Sequence, residues 1–109
     1  MDGVVYIVQD DGSKNFSPAL KFGSEIIALR KYDLPMTKLG QDDAIRAIHH
    51  GLRNFTPDKD FLLLSGDPLL ISMAVYTLLT NHGHVNCLKW DRQSTDYLIK
   101  KLDVRTGGH

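Results

Sequence analysis

The chain has almost no cysteine, no net charge and no long apolar run, and each absence removes a class of function. Its single cysteine, Cys87, cannot close an internal disulfide, so the fold is not stapled in the manner of small secreted scaffolds. Cys87 lies in the apolar segment Val85 to Trp90, where a buried structural thiol is expected. Thirteen basic residues balance thirteen acidic ones, so no overall field draws the molecule to DNA, RNA or anionic lipid. No apolar stretch is long enough to span a bilayer, and no secretory h-region is present, which points to a reducing cytoplasm. Repeats, linkers and low-complexity segments are missing too. A length of 109 residues with 42% apolar content fits one domain, residues 1–105, followed by a flexible tail over 106–109.

The most telling segment is Asp60-Phe61-Leu62-Leu63-Leu64-Ser65-Gly66-Asp67-Pro68, running into Leu69 to Gly83. It reads as a buried strand, a tight turn and an almost wholly apolar helix. Asp67 is a favoured N-cap, and Pro68 suits the first helical position, where an amide hydrogen would be unpaired anyway. Gly83 closes the helix by adopting the left-handed conformation. A short apolar strand feeding such a helix is the core of a βαβ unit.

Upstream, Val4 to Val8 is a continuous β-rich run, and Gln9 to Lys14 is a turn centred on Asp11-Gly12. Asn15 to Gly23 is irregular. Glu25 to Tyr32 has a strand-like pattern, with a short helix as the competing reading, and Asp33-Leu34-Pro35 ends it. Gln41 to Phe55 predicts a helix whose buried stripe is Ile45, Ile48, Leu52 and Phe55, with Asp42 and Asp43 at its positive end. Val85 to Trp90 and Tyr97 to Val104 are the last strands, joined by the polar loop Asp91 to Asp96. The order β-β-α-β-α-β-β implies an α/β domain with a mixed sheet of about five strands and two main helices.

Candidate chemistry is sparse. Ser65-Gly66-Asp67 sits where open α/β sheets hold ligands, at a strand's carboxyl end and a helix N-terminus. It has one glycine and no following lysine, and Asp67 directs its own carboxylate at amides a phosphate would need, so a structural turn is the simpler reading. Ser65 lacks the elbow of a nucleophile. His49, His82 and His84 have neither Cys-x-x-Cys nor His-Glu-x-x-His spacing around them, so no metal or other cofactor is expected. His82 instead complements a helix C-terminus. The scattered carboxylates Asp10, Asp11, Asp42, Asp43, Asp58 and Asp60 coincide with turns and helix starts and form no acid/base pair.

Two surfaces are better candidates for binding. Trp90, Asp91, Arg92 and Gln93 bring the only tryptophan to a hairpin beside an arginine, a pairing common in interface hot spots. The alternative is that Trp90 fills the core edge and its neighbours only organise the turn. The second helix packs Ile71, Val75, Leu78 and Leu79 on the sheet, leaving Leu69, Met73 and Tyr76 as a second apolar face. That face needs a cover, either the segment Asn15 to Gly23, with Phe16, Leu20 and Phe22, or another chain.

Tyr6 to Gln9, Phe61 to Pro68, and Leu88 to Gln93 with Tyr97 together make the chain resemble small proteins encoded by tailed bacteriophages. The resemblance covers most of the chain. It implies an infected bacterial cytoplasm as the setting and carries over no catalytic residue. The reading is a non-enzymatic interaction module, a phage accessory protein that docks a host or phage protein or forms a homo-oligomer, with no membrane or nucleic-acid partner. The alternative is a nucleotide or nucleic-acid binding domain using the Ser65–Asp67 turn and the Trp90–Gln93 loop.

Overall fold

Five short runs rich in β-branched and aromatic residues form one sheet. The computed structural model describes residues 3–31 and 38–105. Strands β1 (Val4–Ile7), β2 (Glu25–Ala28), β3 (Phe61–Leu63), β4 (His84–Asp91) and β5 (Asp96–Asp103) line up in the order β2-β1-β3-β4-β5. The first four are parallel, and β5 closes one edge antiparallel to β4. The mixed five-stranded α/β architecture expected from the sequence is therefore the architecture of the chain. Glu25 onward is a strand rather than a helix, over Glu25–Ala28 only. The expected break at Asp33-Leu34-Pro35 and the tail 106–109 lie outside the described residues.

The two faces are covered unequally. Helices α1 (Lys38–Gly51) and α2 (Pro68–His82) lie on one face, where Ala44, Ile48, Leu52 and Phe55 meet Leu70, Ala74 and Leu78 over Tyr6, Leu62, Val85 and Cys87. A 3-10 segment, Ser17–Lys21, lies on the other, where Phe16, Ala19 and Phe22 pack with Val5, Ile7, Leu63, Leu88 and Tyr97. The crossover from β1 to β2 thus runs over one face in one lateral direction, while the later two run over the other face in the opposite direction. All three share one hand, as a right-twisted parallel sheet requires. Buried Asp60 ties the layers together, accepting from the amides of Val4 at 2.8 Å and Thr56 at 2.7 Å.

Three expectations need correction. The segment Asn15 to Gly23 folds into that 3-10 turn and sits across the sheet from α2, so it does not cover Leu69, Met73 and Tyr76. On α2 the buried line is Leu70, Ala74, Thr77 and Leu78; Ile71, Val75 and Leu79 are only partly buried. The apolar residues surround the helix so evenly that its sequence does not single out one face. Helix α1 starts at Lys38 and stops at Gly51, which places Asp42 and Asp43 in its second turn and Phe55 beyond its end, though still in the core.

Candidate site at the carboxyl ends of the strands

From β1 the chain turns toward β2 on one side, while β3 and β4 continue on the other, so the loops leaving β1 and β3 part over opposite faces. Such a reversal of winding opens a crevice at the carboxyl ends of the strands. The two loops are pinned to each other at its base. The Gln9 amide donates to the Ser65 carbonyl at 3.0 Å, and the Asp67 amide donates to Gln9 Oε1 at 2.8 Å. Gly66 makes this possible: its φ is +112°, and a Cβ there would lie 2.3 Å from Gln9 Cβ. Asp67 caps α2 as expected, accepting from the Leu69 amide at 2.8 Å, with Pro68 in the first turn and Gly83 at φ 82° closing the far end.

Above this base lies a cavity of about 280 Å³ lined by Lys14, Asn15, Leu63, Leu64, Ser65, Trp90 and Tyr97. Trp90 meets Tyr97 edge-on, with ring centroids 4.9 Å apart. Ser65 is only 6% exposed, and its Oγ accepts from Lys14 Nζ at 3.3 Å. An ammonium has no lone pair, so the Ser65 hydroxyl proton has no acceptor among the described residues. Lys14 is exposed and lacks the apolar enclosure that turns a lysine into a general base. Asn15 Oδ1 already accepts from the Ser17 amide at 3.0 Å and from its hydroxyl.

The expected Trp90–Gln93 loop divides. Trp90 lines the cavity and is 42% exposed. Asp91 builds the turn, accepting from the Ser94 amide at 2.8 Å and hydroxyl at 2.7 Å, and these bonds hold its carboxyl below the ordinary range. Arg92 and Gln93 are exposed at the tip, outside the cavity lining. Ser65 and Trp90, candidates from separate parts of the sequence, are brought together, whereas Leu69 and Tyr76 are exposed on the far side of α2 and Met73 is half-buried beside them. Lys14, Asn15, Gln9 and Tyr97 were not singled out from the sequence. Only the pairing of β1 with β3 and the fold of the loop after β1 put them there.

The histidines disperse. His49 Nδ1 meets Thr77 Oγ1 at 3.2 Å, while His84 Nε2 lies 3.3 Å from Asp58 and its Nδ1 lies 3.3 Å from the His82 carbonyl. Among the described residues no three metal-ligating side chains converge, and no helix is long and apolar enough to cross a membrane. Cys87 is buried between strand neighbours, and burial pushes its thiol up to about 11.

Fold and site together define a small doubly wound α/β protein with a ring-walled cavity at its strand ends. The chain belongs to the phage Pam3 gp32-like protein family, whose model matches residues 3–104. No curated protein and no solved structure matches it.

Proposed function

We propose that this phage protein is a non-enzymatic interaction module in the infected cell, and that it self-associates along β5. One observation carries the reading. Of nine large apolar side chains exposed among the described residues, five (Trp90, Leu98, Ile99, Leu102 and Val104) belong to the β4–β5 hairpin or its exit. Strand β5 is eight residues long and forms a sheet edge, so its outer backbone groups offer a template for another strand. Its charges select among partners. Antiparallel pairing of two copies about Leu98 sets Asp96 opposite Lys100, whereas pairing about Lys100 or Lys101 sets lysine against lysine. Sedimentation over a wide concentration range tests this. Wild type should dimerise, Ile99→Lys should be monomeric, Lys100→Glu should dimerise more weakly, and Tyr76→Ser on α2 should behave as wild type. A wild-type monomer at millimolar concentration overturns the reading.

The nucleotide or nucleic-acid alternative is favoured by one feature, the cavity that Ser65 and Trp90 share. Arg92, the residue assigned to phosphate in that alternative, is not among its lining residues. Binding through phosphate contacts would weaken steeply with salt.

A further inference from the structure

We propose that the cavity beside Trp90 binds a small planar aromatic monocarboxylate, at a site that adjoins the hairpin surface and shares Trp90 with it, the ligand being smaller than a nucleotide. Among the described residues the lining carries one full charge, the Lys14 ammonium, with the hydroxyls of Ser65 and Tyr97 and the Asn15 amide beside it. The Lys14 ammonium and the Ser65 hydroxyl that it donates to both line the cavity, and the Oδ1 of Asn15 is occupied by Ser17, leaving its NH₂ group. Among the described residues no carboxylate lines it. The ammonium favours an acceptor as the bound group, and an anion above all. The remaining wall is apolar and flat-sided, built from Trp90, Tyr97, Leu63 and Leu64, which suits a ring.

Size and charge narrow the class. A cavity of about 280 Å³ lies at the small end of ligand sites, which run from about 300 to 1,000 Å³. One ammonium and one hydroxyl match the two oxygens of a carboxylate. A phosphate takes more donors, and two of the amides at that turn are already spent: Leu69 donates to Asp67, and Asp67 donates to Gln9.

The tryptophan is the only one in the chain, so its fluorescence reports on the cavity wall when read at a concentration where the chain is monomeric. Benzoate is titrated beside benzamide, which keeps the ring without the charge, acetate, which keeps the charge without the ring, and adenosine monophosphate. Benzoate should quench saturably, with benzamide and acetate at least tenfold weaker. Lys14→Met and Ser65→Ala should each weaken benzoate about tenfold. Arg92→Ala, outside the cavity, should bind as wild type, and thermal unfolding checks that each variant folds. Equal affinity for benzoate and benzamide, or an unaffected Lys14→Met, overturns the proposal. So does the absence of any saturable change with benzoate. Tighter binding of adenosine monophosphate than of benzoate also overturns it, and in that case the nucleotide reading stands.

Discussion

Gly66 and Asp67 carry different burdens within one turn. Gly66 holds a left-handed φ against Gln9, so Gly66→Ala adds backbone strain and forces the two loops apart. It should cost about 2 kcal/mol or more, read as a drop in the denaturant midpoint. Asp67→Ala removes one cap hydrogen bond and should cost about 1 kcal/mol. Larger loss at Gly66 than at Asp67 would mark the interloop contact, rather than the helix cap, as the stronger constraint. Thr95 is the other strained position, a β-branched residue at φ 51° in the hairpin. Cys87 is buried with its thiol raised to about 11, so in the native protein it should resist a thiol-specific reagent and react only on unfolding. Fast native-state labelling would show that β4 opens.

At the scale of elements, α2 separates stability from surface. Leu70 is fully buried between the helix and the sheet, and Leu70→Ala should cost about 2–5 kcal/mol. Tyr76, 63% exposed on the opposite side, can be changed to Ser within about 0.5 kcal/mol. Thermal or denaturant unfolding of both variants checks the orientation of the helix, which its all-round apolar sequence left open. The hairpin divides in a similar way. Asp91 and Ser94 build its turn, and Lys21 reaches across from the 3-10 segment to pair with Asp96. Arg92 is exposed and its side chain makes no hydrogen bond or ion pair among the described residues, so a fold intact in Arg92→Ala is expected.

For the molecule as a whole, surface aspartates govern the response to acid. Arg105 holds Asp103 down to about 2, while a serine hydroxyl lowers Asp11 and another lowers Asp91, and Lys21 lowers Asp96. Each is more acidic folded than unfolded. Their contribution is therefore complete above the unfolded value, about 3.9, and is lost as pH falls through the folded value toward 2. Unfolding midpoints should drop between pH 4 and about pH 2, and Asp103→Asn should flatten that slope. Because these groups are on the surface, salt should flatten it as well. A slope indifferent to both would place the acid response elsewhere.

The sequence by itself determined what depends on near neighbours. The order of strands and helices, the Asp67 cap, Pro68 in the first turn, the Gly83 stop and the buried thiol all follow from propensity and patterning over a few residues. The tertiary structure decided which strands lie side by side, and with that the site. Gln9 and Lys14 stand some fifty residues from Ser65 and Asp67, and nothing local to either segment encodes that β1 pairs with β3 and not β4. The same holds for cover. The sequence offered Phe16, Leu20 and Phe22 as a cover for α2, but the winding of the β1–β2 crossover sent Phe16 and Phe22 to the face away from α2 and left Leu20 exposed. Register also lies beyond local reading: Trp90 faces Tyr97 because β5 pairs with β4 about a four-residue loop. Local sequence sets what each element is, whereas the hand of the crossovers and the burial of both sheet faces set which side chains meet.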